Sequence, residues 1–168
     1  SIPVGTILPA QTVFTQNAWY NFSQREDSRA NSSFVKQQGA GTEVARWTFA
    51  VEPGVHRVSA TWPGLDVFSR SAPFRIFDGV GGTLLQTASA NQTTRPDDFL
   101  DDDTFWNDLG IPVTVTTNSL VVELSDSFVN GPFISADAVR VERITDPEIT
   151  VTNGGASLVD GDASIDFG

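Results

Sequence analysis

The chain contains no cysteine and no methionine, and only one lysine (Lys36), one histidine (His56) and one tyrosine (Tyr20). Each scarcity closes off a class of explanation. Without thiols there are neither disulfides nor thiolate metal sites. The 168 residues must therefore hold together by their core, and at this length about 70% of the unfolded surface can be buried. No apolar run approaches the ~20 residues of a membrane-crossing helix, so no membrane span is expected. The missing methionine is read as the mark of a mature product or of a piece cut from a longer protein. Basic side chains number 10 against 21 acidic ones, a net charge of −11. Nucleic acid is thereby excluded as an expected partner, because phosphate backbones are gripped by Lys and Arg. The surplus acid reads first as solubility and second as a capacity to bind cations. Abundant Ser, Thr, Asn and Gly with so little lysine suits an extracellular or cell-surface setting.

What the sequence does have is alternation. In VARWTFAV, Ala45, Trp47, Phe49 and Val51 share one face and Arg46, Thr48 and Ala50 the other. After the Pro53-Gly54 turn, Val58, Ala60 and Trp62 fall on one face, with Arg57, Ser59 and Thr61 opposite. A third run, 73–77, puts Phe74 and Ile76 inward and Arg75 outward. A side-chain period of two with one wet face marks antiparallel sheet. Before this stretch, residues 1–22 hold one or two edge strands, 23–32 a polar loop and 33–36 a short strand. After it, the glycines at 79, 81 and 82 suggest a hairpin joining 75 to 86. A long polar connection follows over 89–104. Further strands are expected over 111–116, 120–124 and 135–144, the last with Val139 and Val141 inward. No helical period competes. The expectation is an all-β antiparallel β-sandwich of jelly-roll type over residues 1–145. Residues 146–168 carry two short alternating runs around Asn153-Gly154-Gly155. They are read as a linker and the opening strands of a following, truncated domain.

Four pieces in order, PGVHRVSATWPG, RSAPFRIFDG, FWNDLG and ISADAVRVERI, make the chain similar to the golvesin C-terminal-like, or xanthan-lyase carbohydrate-binding-like, domain. That family runs as G-x-Y-x-V-x-x-x-W, A-x-Y-x-V, W-x-x-L-G and A-D-A-V-R. The chain departs from it with His56 and Phe74 at tyrosine positions and with an acidic insert ahead of Trp106. The tail resembles the start of an immunoglobulin-like repeat. The resemblance implies a galactose-binding-like sandwich serving as a non-catalytic carbohydrate-binding or adhesive accessory module of a secreted or surface protein. The alternatives are a structural spacer or protein-interaction domain and, more remotely, a glycan-active hydrolase or lyase.

Individual residues sharpen these expectations. His56 lies in phase with the inward side chains and no G-x-S-x-G elbow accompanies it, so it reads as a structural histidine rather than a triad base. No catalytic residue is assigned. Outward arginines, Arg57 and Arg75 foremost, would grip the carboxylates of an acidic polysaccharide through paired hydrogen bonds; the alternative is a solvated charged face. Sugar stacking would fall to loop aromatics: Trp19, Tyr20, Phe68, Phe99, Phe105 and Phe128. The acidic block Asp97, Asp98, Asp101, Asp102 and Asp103 could supply the oxygens that Ca²⁺ takes. It lacks the ordered D-x-[DN]-x-[DN]-G loop, and the alternative is a solvated loop. Galactose-binding-like sandwiches often carry a structural calcium, so the resemblance adds Ca²⁺ as the one cofactor to test. Trp47, Trp62 and Trp106 are placed in the core. Asp137, in the inward phase of Val139, is expected to clasp a neighbouring loop or arginine, since a buried carboxylate must be paired or hydrogen-bonded.

Overall fold

A computed structural model describes residues 6–9, 19–22, 33–127, 130–145, 151–153 and 156–158. The expected loop over 23–32 and the candidate Phe128 lie outside the described residues. The strands in chain order are β1 (Thr6–Pro9), β2 (Tyr20–Asn21), β3 (Phe34–Gln37), β4 (Val44–Ala50), β5 (Gly54–Thr61), β6 (Ala72–Asp78), β7 (Thr83–Ala90) and β8 (Phe99–Asp101). They continue with β9 (Thr104–Asp108), β10 (Val113–Val115), β11 (Ser119–Ser125), β12 (Phe133–Ala136), β13 (Ala138–Ile144), β14 (Val151–Asn153) and β15 (Ala156–Leu158). The described residues contain no helix.

The body is an antiparallel β-sandwich of jelly-roll type. One layer runs β1-β13-β5-β9-β8 with β10 also on β5, and the other runs β4-β11-β6-β7. A three-stranded sheet, β12-β3-β2, lies alongside, and β14 pairs with β15 in a separate hairpin. Alternation explains the packing. In the four-stranded layer Trp47, Val122 and Ile76 stand opposite one another across β4, β11 and β6, all at 1% exposure or less. In the other layer Ala60 faces Val139 and Val58 faces Val141 across β5 and β13. These rows, with Phe49, Trp62, Phe74, Leu120 and Leu124, form the apolar cluster between the layers. Each large side chain sealed there contributes about 1.5–3 kcal/mol through the hydrophobic effect.

The turn between β6 and β7 needs its glycines. Gly79 and Gly81 have φ of +86° and +67°, and a side chain at Gly82 would collide with the Asp78 carbonyl. Asp78 staples this end of the sandwich. Its carboxylate accepts the Thr116 and Thr117 hydroxyls at 2.6 and 2.7 Å and both their backbone N–H groups at 3.0 Å. Those hydroxyls first, and then the amides, hold the carboxyl well below the ordinary aspartate range, against the opposing effect of burial.

Three sequence expectations change. β4, β5 and β6 do not lie in one sheet: β4 and β6 flank β11, whereas β5 crosses to the other layer. The run 135–144 is two strands in two sheets, broken at the buried Asp137. The polar connection before Trp106 is in large part a hairpin, β8–β9, closed by Asp102 and Asp103 with φ of +48° and +54°. Two successive positive φ values are those of a type I′ turn, whose twist matches that of the strands it joins and which aspartate tolerates. The aspartates that looked like a loop are therefore a turn and its flanks.

Candidate functional site

The β8–β9 hairpin and the sheet beneath it carry a connected network of arginines, carboxylates and an aromatic ring. Register places Arg57 opposite Glu142, and Ser59 opposite both Arg140 and Asp108, so these polar side chains share the outward face of the β5 layer. Arg57 donates from Nε and Nη2 to the two oxygens of Asp108 at 2.7 and 2.8 Å, and the Ser59 hydroxyl donates to Oδ1 at 2.9 Å. Arg140, buried, donates to Asp101 at 2.8 Å and to Glu142 at 2.7 Å. Phe99 completes the network. Its ring centre lies 3.9 Å from the Arg57 guanidinium carbon and 5.4 Å from that of Arg140, a cation–π arrangement. Because Phe99 and Asp101 reach arginines on β5 and β13, the hairpin lies over the sheet face rather than extending beside its edge.

Burial alone would raise the Asp108 carboxyl, but the hydrogen bonds from Arg57 and Ser59 outweigh it and hold the group below the usual aspartate value. Bonding to Asp108 correspondingly raises Arg57. Trp106 is fully buried, and its Nε1 donates to the Asp101 carbonyl at 3.2 Å. It is a buried core residue, as the sequence placed it, but it lies outside the main apolar cluster, in the outward phase of Asp108, and so anchors the hairpin. Trp47 and Trp62 do belong to that core. Trp62 Nε1 donates to the Thr94 carbonyl at 2.8 Å.

The hairpin's other side faces solvent. Leu100 and Phe105 are cross-strand neighbours, 59% and 51% exposed, with the Asp102-Asp103 turn at one end and exposed Asp97 and Asp98 at the other. Cross-strand pairing of this kind makes one apolar patch from two strands.

The stacking candidates do not converge. Trp19 and Phe68 are buried, and Phe68 meets Phe22 edge-on at 6.2 Å. Phe99 lies beneath Arg57. Tyr20 is exposed but stands on β2 of the three-stranded sheet. The arginine row is likewise divided. Arg75 lies on the opposite layer from Arg57 and donates to Glu123 at 2.9 Å. The same Glu123 accepts Arg46 from β4 at 2.5 Å. The expected row is thus two separate ion-pair networks, each with its own carboxylates.

The acidic block is dispersed in the same way. Asp101 pairs with Arg140, Asp98 accepts the Asp108 backbone N–H at 2.7 Å, and Asp102 and Asp103 form the turn. No three His, Asp or Glu side chains among the described residues come together to hold a metal ion. Alternation along a hairpin sends successive carboxylates to opposite sides, where a calcium loop would curl them inward. Among the described residues, Asp97, Asp98, Asp101, Asp102 and Asp103 thus do not gather into a group of three or more ligands.

His56 is buried, with Nδ1 3.1 Å from the Gly54 carbonyl. Burial lowers its pKa, the contact with the Gly54 carbonyl opposes that shift, and the Arg143 charge adds to it. Sequence reasoning missed two clasps. Gln92, fully buried, donates to the Ser135 carbonyl at 2.7 Å and accepts the Ser135 N–H at 2.8 Å, imitating a strand partner. Asp126, buried after β11, accepts the Gly41 N–H at 2.7 Å and ion-pairs with Lys36 at 3.5 Å. Asp137 is also buried. Only the proximity of a glycine-rich segment to a lone lysine hinted at Asp126, and nothing local marked Gln92.

No curated protein matches the chain in sequence. Among solved structures, a xanthan lyase of Paenibacillus superposes with a TM-score of 0.65 at 19% identity, covering 84% of this chain and 13% of the lyase. The CBM36-1 domain of a multidomain xylanase from the hindgut metagenome of Trinervitermes trinervoides superposes at 0.56 and 12% identity, covering 84% of this chain and 99% of that domain. The chain thus has the fold of a module, one that spans a small fraction of the first of these proteins and nearly all of the second. The golvesin C-terminal domain model matches residues 7–143, which takes in both layers of the sandwich and the hairpin, and the chain belongs to the golvesin C-terminal domain family.

Proposed function

We propose that this chain is a non-catalytic carbohydrate-binding module of a larger secreted or cell-surface protein, and that it meets glycan through the outer side of the β8–β9 hairpin. The observation that carries the reading is the exposed Leu100–Phe105 pair flanked by carboxylates. Sugars present apolar C–H faces rimmed by hydroxyls, so an aromatic ring beside hydrogen-bond acceptors is complementary to them. Family membership and a fold shared with glycan-associated proteins support this reading. The non-catalytic reading is supported by hairpin acids committed to structure, Asp108 to Arg57 and Ser59 and Asp101 to Arg140. The domain organisation follows the same reading, with residues 146–168 leading from this module into a neighbouring domain.

Affinity electrophoresis in gels containing xanthan, xylan or neutral β-glucans tests the proposal. Retardation by at least one polysaccharide, lost in Phe105→Ala and Leu100→Ser with melting temperatures unchanged, is the expected result. Equal migration of wild type and variants in every gel removes it. A second reading, a spacer or protein-interaction domain, is favoured by one specific observation: Arg46, Arg57, Arg75 and Arg140 are engaged with the protein's own carboxylates rather than offered to an acidic polysaccharide. That reading predicts no retardation in any gel.

A further inference from the structure

The only lysine of the chain is nearly buried against a carboxyl group. Lys36 Nζ, on β3, lies 3.5 Å from Asp126 Oδ2, just beyond β11, with the two side chains 13% and 2% exposed. The other carboxyl oxygen, Oδ1, faces two backbone donors, Gly41 N at 2.7 Å and Glu43 N at 3.4 Å. The segment that carries those donors is fitted to the carboxyl. Gly39 N donates to the Asp126 carbonyl at 2.9 Å and Asp126 N to the Glu43 carbonyl at 3.0 Å. A side chain at Gly39 would strike the Asp126 carboxyl itself. Glu43 also brings a buried Oε2 that has no hydrogen-bond partner among the described residues.

An amine on one side of a carboxyl and paired N–H donors on the opposite oxygen is the arrangement that supports acyl transfer, because the donors hold the negative charge that develops on the oxygen as the nucleophile adds. We propose that Lys36 and Asp126 condense within the folded chain to an intramolecular isopeptide bond. The step balances without any further reactant. A proton passes from the Lys36 ammonium to Asp126 Oδ2, giving amine and acid, and Nζ adds to Cγ with the oxyanion on Oδ1 facing the Gly41 and Glu43 amides. Nζ then loses a second proton, which leaves with Oδ2 as water. The N–C bond formed replaces the C–O bond broken, and nothing is oxidised or reduced. The product would link β3 of the three-stranded sheet to the end of β11 in the four-stranded layer, turning an ion pair into a covalent tie between sheets.

Intact mass under denaturing conditions reads the bond directly, since an ion pair dissociates there and an amide persists. The expected wild-type mass is one water, about 18 Da, below that of the sequence, and fragmentation of a digest should yield a peptide pair joined through Lys36 and Asp126. Lys36→Arg keeps the cation but forms no amide under these conditions, and its mass should equal its sequence. A wild-type chain of full sequence mass overturns the proposal. So does a deficit that persists in Lys36→Arg, or one that fragmentation places elsewhere, because water is also lost by cyclisation at an Asp-Gly step such as Asp78-Gly79.

Discussion

Replacing Asp108 by alanine should loosen the hairpin by an amount the structure sets. The change removes both bonds from Arg57 and the acceptor of the buried Ser59 hydroxyl. Charge-assisted bonds reach about 1.5–3 kcal/mol when sheltered, while fully exposed ion pairs are worth about 0.2–1 kcal/mol. With side chains 33% and 31% exposed, the Arg57–Asp108 pair falls between those limits, and we take its coupling as about 1 kcal/mol after allowing for solvent screening. Leaving the Ser59 hydroxyl without its acceptor adds about 1 kcal/mol. A total near 2 kcal/mol lowers the melting temperature of a chain of this size by about 4–8 °C. Urea unfolding of wild type, Arg57→Ala, Asp108→Ala and the double variant isolates the coupling. Because Asp108 is held below its ordinary value of 3.8, its contribution is complete above that pH and disappears as pH falls through the folded-state value. The wild-type advantage should therefore vanish in acid. Strict additivity of the two single variants, within about 0.3 kcal/mol, would refute this account of the pair.

Trp106→Ala should cost about 3–5 kcal/mol and speed hydrogen exchange at the amides of 98–108; a variant of unchanged stability would mean that the buried ring does not anchor the hairpin. Melting curves in millimolar calcium and in chelator should coincide, since Asp101 is held by an arginine, Asp98 by an amide, and no three acids of 97–103 converge; a clear rise in calcium would show a metal site there. Acid titration should show a first loss of stability as pH drops below 6.5, from His56, whose lowered pKa makes the unfolded chain bind the proton first. His56→Gln should flatten that phase. A second loss should begin below pH 3.8, where Asp78 resists protonation in the folded state but not in the unfolded one.

Much of the fold was legible because period two is a local signal. Trp47, Phe49, Val58, Ala60, Leu120 and Val139 declare their inward face from neighbours two residues away, and all lie in the core. Which strands share a sheet is decided by non-local pairing. That is why Arg57 and Arg75, both outward on strands close in sequence, turned out to stand on opposite layers. The break at Asp137 was hidden for the same reason: 135–144 alternates well enough for one strand, and only the separate partners of β12 and β13 divide it. The hairpin at 97–108 escaped because its turn is made of aspartate without glycine, and five acids in seven positions look like a solvated loop. Exposure of aromatics was the least legible property. Nothing in the local sequence separates buried Phe68 from exposed Phe105, because what covers Phe68 comes from elsewhere in the chain.

On the proposed reading, the hairpin reconciles an acidic chain with a surface apolar enough to bind. A strand hairpin alone is marginally stable in water, so one that presents Leu100 and Phe105 to solvent must be held from its other side. Its underside supplies that hold through Phe99 against two guanidinium groups, Asp101 on Arg140, Asp108 on Arg57 and the buried Trp106 ring. Each arginine drawn under the hairpin also pairs with an acid there, which leaves the exposed aspartates, Asp97 and Asp98 at the rim and Asp102 and Asp103 at the turn, around the apolar pair instead of beneath it. Substitutions on the underside should therefore alter stability and binding together, whereas changes at Leu100 and Phe105 should alter binding alone. That separation distinguishes a presented binding surface from an exposed patch left over by folding.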